Sequence, residues 1–408
     1  MNDNPILNNP YKEPQYYYDT DINGNLDYTK ICHGRRPYTS QINITPHSSQ
    51  EQTMFGGSDF EEADPNARFI NDIREEVKRW READYPNTTR VTKELLHFWF
   101  CNNERTPELS LFFCQREAVE TAIYLNEVAD RDPNKGRALL HELQDRRETI
   151  SLNPDDILPR TAFKMATGTG KTVVMAMLIL YNYINKQEYH GDTRFADHFL
   201  LVAPGITIRD RLSVLYIDDR KINRYDKNDY YHTRGLIPDQ YESLLGGLNA
   251  AINITNYHQF EPKVYTGKKA SPMDGKMVYN KETHQLEKQT DKEEYSSVLS
   301  RLLGRNMRGK RILVINDEAH HCYLPKTTSK AKSDEERETE EENQKAMVWF
   351  EGLRQMRLNG YRVQQVYDLS ATPYYLKGSG YPEFGESAFV PDQDRSGSEA
   401  YRHCGRVQ

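Results

Sequence analysis

The chain has 408 residues, which is enough for two or three domains of ordinary size. Hydrophobic residues make up 37% and charged residues 28%, so the chain is polar for a globular protein but can form a sizeable core, which excludes a wholly disordered chain. The formal net charge of -7 argues against a uniformly basic nucleic-acid binder, although a local basic groove still fits an acidic chain.

The cysteine pattern and the hydropathy pattern both indicate a reduced, soluble protein. The five cysteines are scattered and form no C-x-x-C pair, which argues against a disulfide framework or a zinc site. The N-terminus lacks a basic region followed by an apolar run, and the longest apolar run, 173–180, is too short to span a bilayer. We therefore predict a cytoplasmic protein without a membrane partner.

The first part of the chain changes from irregular to helical. Residues 1–65 are rich in Asn, Asp, Pro and Tyr, and no period holds there, so we predict an irregular arm. Residues 66–110 form a predicted helical region, with one amphipathic helix over 67–81, where apolar residues recur at spacings of three and four. A second helix is predicted over 92–100, and a third over 115–128 starts the next region.

Strands alternate with helices between residues 111 and 376. The predicted strands are 161–167, 198–205, 311–317 and 363–372, and the predicted buried helix is 172–185. Each strand ends in residues that can bind a ligand or take part in catalysis, which is typical of an α/β domain with a mainly parallel sheet and a site at its carboxyl edge. Polar insertions are predicted at about 262–300 and 326–345, and residues 377–408 read as an irregular tail.

A glycine-rich loop follows the first of these strands. MATGTGKT (165–172) opens a helix, which is the context that a phosphate-binding loop requires. Its glycines, Gly168 and Gly170, allow the backbone N–H groups to approach phosphate oxygens closely. Lys171 would neutralise the β- and γ-phosphates, and Thr172 would ligate Mg²⁺. The loop has Met165 where the general pattern has glycine, and the alternative is an ordinary glycine turn.

Two adjacent carboxylates follow the strand over 311–317. In VINDEAHHCY, Asp317 would hold the Mg²⁺ shell and Glu318 would orient and deprotonate the attacking water. The alternative is a strand cap before a surface turn. The neighbouring His320, His321 and Cys322 point in different directions and do not predict a zinc site.

Four motifs in a fixed order resemble a known superfamily. ATGTGKT, VAPG, NDEAH and LSATP are similar to the first RecA-like domain of superfamily 2 DEAD/DEAH-type helicases and translocases. Within it, the chain looks like the group that includes the Res subunits of type III restriction enzymes and the UvrB-like helicases. The resemblance covers roughly residues 111–375 and implies a P-loop NTPase that uses ATP and Mg²⁺.

The resemblance assigns roles to further positions. It implies that Gln115 contacts adenine and that the loop residues Thr167, Gly168, Thr169 and Gly170 bind the nucleotide with Lys171 and Thr172. It implies nucleic-acid backbone contacts at Pro204, Gly205 and Thr255, and coupling of hydrolysis to movement at His320, Ser370, Ala371 and Thr372. Thr207, Arg209 and Arg211 fit phosphate contacts and a solvated helix face equally, whereas Arg305, Arg308, Lys310 and Arg311 fit a solvated turn better.

The sequence leaves three functional hypotheses. The first is the motor domain of a DNA translocase of the restriction-subunit type, with duplex DNA as partner. Since few residues follow LSATP, we expect it to be a truncated half-motor. The second is a repair or RNA helicase fragment, and the third is a nucleotide-dependent binding module without turnover. A methyltransferase or specificity subunit, or a second motor half, is implied as partner only by the restriction resemblance.

Overall fold

The computed structural model describes residues 7–20, 26–38, 65–102, 105–133, 135–148, 158–265, 276–280, 285–288, 292–304, 307–319 and 347–371. These residues divide into two compact units. The first contains the described residues up to 146 together with 163–174, and the second contains 147–162 and the described residues from 175 onwards. Among the described residues, the polypeptide passes between the units within one strand and within two helices.

A β-hairpin opens the first unit, where the sequence predicted an irregular arm. Its strands β1 (Tyr16–Thr20) and β2 (Leu26–His33) pair antiparallel. Tyr16 lies opposite His33 with their rings 5.0 Å apart, and the rings of Tyr18 and Tyr28 are also 5.0 Å apart. Cross-strand aromatic pairs stabilise such a hairpin, and its sequence shows no alternation of apolar and polar residues from which the two strands could be predicted.

Helices make up most of the rest of the first unit. Their bounds are α1 (Pro65–Glu82), α2 (Arg90–Phe100), α3 (Phe113–Ile123) and α4 (Gly136–Glu148). The predicted apolar stripe of α1 is buried, with Ile73 and Val77 fully inaccessible. Thr89 caps α2 by accepting a hydrogen bond from the Thr92 N–H at 3.1 Å. Helix α3 is shorter than predicted and continues as a wider π-helical turn over Tyr124–Val128, whereas α4 was not predicted.

The second unit is built on a five-stranded parallel sheet. Its strands are β3 (Arg160–Lys164), β4 (His198–Ala203), β5 (Ile252–Asn256), β8 (Arg311–Asp317) and β9 (Arg362–Ser370). Their order across the sheet is β3-β9-β8-β4-β5, and all run in one direction. The antiparallel hairpin β6 (Met277–Asn280) and β7 (Gln285–Lys288) lies inside the predicted insertion. The predicted α/β fold with a parallel sheet is confirmed, and β5 is a strand that the sequence did not predict.

Helices cover both faces of this sheet. They are α5 (Lys171–Glu188), α6 (Ile206–Arg211), α7 (Tyr230–Thr233), α8 (Leu248–Ala251), α9 (Tyr295–Leu303) and α10, which is described over 347–358. Apolar residues of α9 and α10 form one core with Leu200 and Val202 of β4. Phe199 alternates to the other face, where its ring lies 6.4 Å from that of Tyr183 in α5. This two-sided covering explains why the central strands β4 and β8 have continuous apolar runs.

Because the strands are parallel, their carboxyl ends share one edge of the sheet. In the second unit, Pro204, Thr255, Asp317 and Ser370 lie at or just after the ends of β4, β5, β8 and β9. These four predicted site residues therefore share one edge of the sheet, as expected for open α/β sheets. The glycine loop follows β3 along the chain and belongs to the first unit. Among the residues that the structure describes, no helix combines the length and apolarity needed to cross a membrane.

Candidate active site

The glycine loop has the backbone conformation that a phosphate cradle needs. Gly168 and Gly170 have φ values of 87° and 81°, in the left-handed region that glycine adopts without strain. A Cβ on Gly168 would meet no atom within 4 Å, so the backbone there faces open space. The loop is closed by Thr169, whose hydroxyl donates to the Ala166 carbonyl at 2.7 Å. Met165, which replaces the usual glycine, is only 1% exposed.

The start of helix α5 adds a favourable electrostatic environment to the loop. The helix begins at Lys171, and the Gly170 carbonyl accepts the first helical bond from the Val173 N–H at 2.9 Å. Its first turn contains no acidic residue, so the N-terminal dipole is not neutralised by a side chain of that turn. Lys171 and Thr172 are half-buried at this position. This arrangement suits a bound anion.

Gln115 lies against the glycine loop. Its side-chain amide donates to the Thr169 carbonyl at 2.8 Å, and its side-chain oxygen accepts from the Phe112 N–H at 3.0 Å. The Nε2 atom is also the nearest obstacle to a Cβ on Gly170, at 2.2 Å. The sequence predicted that Gln115 belongs to the nucleotide site, and the structure places it beside the phosphate loop. An adenine contact at Gln115 stays a prediction.

A buried ionic network holds helix α3, which carries Gln115. Glu120 is fully inaccessible and accepts hydrogen bonds from Arg81 Nε at 2.7 Å, Arg116 Nε at 2.7 Å and the Tyr85 hydroxyl at 2.6 Å. Burial and the Glu120 charge raise the pKa of Tyr85 well above its usual range. Burial alone would lower the pKa of Arg116, but Glu120 and Tyr85 outweigh it and raise the pKa. The network satisfies the buried carboxyl oxygens of Glu120 with three hydrogen bonds, and it therefore fixes α3.

Asp317 and Glu318 lie at the carboxyl end of β8, as the sequence predicted. Asp317 is 9% exposed and accepts a hydrogen bond from the Glu318 N–H at 3.1 Å. Glu318 has a φ of 49°, which costs a residue with a side chain about 1–2 kcal/mol relative to ordinary helical backbone. Left-handed backbone at a residue other than glycine often marks a functional position, because the surrounding structure must hold it. The two adjacent carboxylates thus lie at the end of β8, where the backbone turns through an uncommon φ at Glu318.

Four buried residues of the second unit form a hydrogen-bond network that was not predicted from the sequence. Asp368 of β9 accepts from Arg160 Nε of β3 at 2.7 Å and from Asn316 Nδ2 of β8 at 2.6 Å. Trp349 of α10 donates from its indole nitrogen to Asn316 Oδ1 at 3.2 Å. The side chains of Arg160 and Asp368 are 5% and 8% exposed, so this is a buried ion pair across neighbouring strands.

The network is directly connected to two of the motifs. Asn316 precedes Asp317, and Asp368 is two residues before Ser370. The register pairs Asn316 with Asp368 across β8 and β9. The sequence signal available was a polar residue inside each strand, Asn316 in β8 and Asp368 in β9. The partner of each residue could not be identified before the strand order was known.

The remaining predicted residues occupy the ends of other strands or lie outside the described part of the chain. Pro204 and Gly205 are half-buried after β4, and Thr255 in β5 is 4% exposed, opposite Val202 in the register. Ser370 is 3% exposed and ends β9.

Ala371, which follows Ser370, is half-buried. His320, His321, Cys322, Thr372 and Arg305 lie outside the described residues, so their predicted roles stay predictions. Of the other basic candidates, Arg211, Arg308 and Lys310 are exposed, and Arg209 forms a surface ion pair with Asp210.

A second cluster of hydrogen-bonded ionisable residues lies in the chain segment that connects β4 to β5. His232 has Nδ1 2.7 Å from Asp229 Oδ1 and Nε2 2.6 Å from Glu242 Oε1. Burial alone would lower the pKa of His232, but the hydrogen bonds to these carboxylates raise it. Burial alone would raise the pKa of Asp229, but the hydrogen bond with His232 and others lower it. Both ring nitrogens of His232 lie within hydrogen-bond distance of a carboxylate oxygen, an arrangement that favours the protonated ring.

The side chains that the sequence predicts to hold Mg²⁺ have suitable chemistry. Hydroxyl and carboxylate oxygens, as in Thr172 and Asp317, are the ligands that Mg²⁺ prefers, and it commonly takes only one or two protein ligands beside phosphates. No cluster of three or more His, Cys, Asp or Glu residues suited to a metal ion occurs within the described ranges.

The fold and the loop together define a class. A parallel sheet whose outer strand leads through a left-handed glycine loop into a buried helix is the RecA-like P-loop architecture. The family model described as "Type III restriction enzyme, res subunit" matches residues 109–373, well over half of the chain. The chain therefore belongs to this family, and the matched region is a superfamily 2 helicase domain of the DEAD/DEAH type. Neither the curated proteins nor the solved structures gave a match.

Proposed function

We propose that this chain is the ATP-hydrolysing motor domain of a DNA translocase of the type III restriction kind. Family membership supports a helicase-type ATP-binding domain in general. The glycine loop carries the finer proposal, because its left-handed Gly168 faces open space at the start of a helix without acidic residues in its first turn. A triphosphate is the anion that such a loop cradles.

The loop residues bind the phosphates in this proposal. Backbone N–H groups of the loop and of the first turn of α5 donate to phosphate oxygens, and Lys171 neutralises charge on the β- and γ-phosphates. Gln115 holds the loop through its hydrogen bond to the Thr169 carbonyl, and the contact with the base of the nucleotide is assigned to the same side chain.

The residues at the end of β8 perform the chemical step. Asp317 and Thr172 would hold Mg²⁺, which would neutralise charge on the phosphates when bound. Glu318 accepts a proton from the attacking water. The two adjacent carboxylates thus serve different partners in this proposal, and Glu318 differs from Asp317 in its left-handed backbone.

Nucleic-acid backbone contacts are assigned to the ends of β4 and β5. Pro204, Gly205 and Thr255 take this role, and Ser370, Ala371, Thr372 and His320 couple hydrolysis to movement. Duplex DNA is the proposed partner, because the family description is that of a restriction enzyme subunit. Partner subunits, such as a methyltransferase or specificity subunit, follow only from that family description.

Calorimetric titration with Mg-ATP tests the nucleotide site of the full chain. We expect one site in the wild type and loss of at least about tenfold in affinity for Lys171→Ala, since a charged hydrogen-bonding group is removed. Equal affinity in the two proteins would contradict the proposal. The same preparations, assayed for turnover with duplex DNA and with duplex RNA, separate a DNA motor from an RNA helicase. Binding without turnover under either condition would instead favour a nucleotide-dependent binding module.

A further inference from the structure

A charged cavity of about 220 Å³ lies in the first unit, away from the motifs. It is bounded by the segment after β2, by one face of α1 and by α3. The described residues that line it include none from the glycine loop or from the end of β8. The proposed nucleotide site therefore does not account for this cavity.

Cationic side chains outnumber carboxylates around the cavity. The five cations are Arg35, Arg36, Arg74, Lys78 and Arg81. The three carboxylates are Glu13, Glu75 and Glu117, which leaves a formal excess of two positive charges. This excess occurs in a chain whose net charge is -7, so the cavity is a local positive region on an acidic protein.

The arginines are held in place by aromatic rings. Arg35 and Arg81 both lie over the ring of Phe113, with their guanidinium carbons 5.8 Å and 5.2 Å from its centroid. Arg74 lies over Tyr38 at 5.6 Å. Stacking fixes the guanidinium plane and leaves its N–H groups pointing sideways.

Arg36 follows the same arrangement, with its guanidinium carbon 5.7 Å from the centroid of the Tyr17 ring. It also donates to the Tyr18 carbonyl. All four arginines around this small cavity thus lie over an aromatic ring, a contact that restricts their motion and so lowers the entropic cost of binding.

Two of the carboxylates position cations. Glu117 is 1% exposed and forms a two-point contact with Arg35. Glu13 lies 3.3 Å from Lys78 and 3.2 Å from Arg81. Buried and part-buried carboxylates in these positions hold long cationic side chains at the wall, in the way that supporting residues do in ligand sites.

The cavity and the nucleotide contact lie on different faces of α3. Phe113 and Glu117 are four residues apart and share one face of the helix. Gln115 lies between them in sequence, on the opposite side, and contacts the glycine loop. The cavity is therefore separate from the predicted adenine contact.

We propose that this cavity binds a phosphate group or a diphosphate group. Arginine is the side chain that best matches phosphate oxygens, and four arginines together with Lys78 line this cavity with a formal excess of two positive charges. The volume is smaller than the roughly 300–1,000 Å³ of sites that enclose whole drug-sized molecules, so one or two phosphate groups fit rather than an entire nucleotide. The phosphate comes from a nucleotide in solution or from a nucleic-acid backbone.

Calorimetric titration of the full chain with inorganic pyrophosphate tests this site. It is carried out in a Lys171→Ala background, so that binding at the glycine loop does not contribute. We expect binding to persist there and to weaken by about tenfold or more on adding Arg36→Gln, with partial recovery for Arg36→Lys, which restores charge but not the paired donors. Arg36→Gln alone should leave Mg-ATP affinity unchanged. Absence of pyrophosphate binding in the Lys171→Ala protein, or binding that Arg36→Gln and Arg74→Gln both leave intact, overturns the proposal.

Competition identifies the source of the phosphate. Displacement of pyrophosphate by ADP supports a free nucleotide, and displacement by a short DNA duplex supports a backbone phosphate. Circular dichroism of each variant checks folding. If Arg74→Gln fails to fold, Arg36→Gln carries the test alone, because Arg36 is partly exposed and lies after β2 rather than in a helix core.

Discussion

Removing the carboxylate of Asp368 should destabilise the sheet far more than a usual polar substitution. Asp368→Ala leaves the buried guanidinium of Arg160 without the partner that lies 2.7 Å from it, and the Asn316 amide without its acceptor at 2.6 Å. Breaking one side of a buried ion pair costs about 3–5 kcal/mol, because the remaining charge stays buried. For a unit of this size, we expect a fall in melting temperature on the order of 10 °C.

A double variant distinguishes the cost of burying an unpaired charge from the cost of losing a favourable ion pair. In Arg160→Met with Asp368→Leu, both charges are gone, and only the unsatisfied Asn316 amide remains, at a cost of about 1–3 kcal/mol. The double variant should therefore be more stable than Asp368→Ala. Asp210→Ala, which removes a surface ion pair with Arg209, is the matched control and should change stability by less than about 1 kcal/mol.

Thermal unfolding followed by circular dichroism and by tryptophan fluorescence measures these effects. Trp349 donates to Asn316, so its emission should respond to Asp368→Ala, whereas the control should leave it unchanged. The reasoning is refuted if Asp368→Ala is as mild as Asp210→Ala. It is also refuted if the double variant is less stable than Asp368→Ala alone.

Two further predictions concern the glycine loop and the histidine between β4 and β5. Gly170→Ala should cost more stability and more Mg-ATP affinity than Gly168→Ala, because both substitutions carry the left-handed penalty of about 1–2 kcal/mol, but only at Gly170 does the added Cβ meet Gln115, at 2.2 Å. Equal effects in thermal unfolding and in titration would disprove the role of Gln115 in holding the loop. His232 has a raised pKa, so its stabilising contribution is complete below its ordinary pKa of 6.5 and is lost as pH rises through the higher folded value. The difference in melting temperature between wild type and His232→Gln should therefore shrink as the pH rises above about 6.5, and a constant difference would contradict this account.

The sequence predicted the parts of the fold that depend on local pattern and on motif context. The apolar runs of β4 and β8 and the stripe of α1 are strong signals, because burial on both faces of a sheet or on one face of a helix dictates residue type directly. The glycine loop was recognisable for the same reason, since Gly168 and Gly170 adopt backbone angles that other residues avoid.

Features that depend on tertiary partners were not predictable from one sequence. The β1–β2 hairpin is stabilised by ring pairs such as Tyr16 with His33, and nothing in the local period indicates which rings will meet. The bond between Arg160 and Asp368 joins residues 208 positions apart, and it becomes visible only when β3 and β9 are neighbours. The left-handed backbone of Glu318 also has no local signal, because the chain has glutamate where such an angle favours glycine.

ATP turnover by the full chain in the presence of duplex DNA, compared between wild type and Glu318→Gln, tests the central claim most directly. The account predicts DNA-stimulated phosphate release in the wild type and a loss of about 10²- to 10⁴-fold in the variant, with Mg-ATP affinity retained, since only the group that accepts the proton is removed. Turnover that is equal in the two proteins would contradict the assignment of Glu318 as the base. Loss of nucleotide affinity together with turnover would contradict it as well, because the variant would then have damaged binding and not the chemical step.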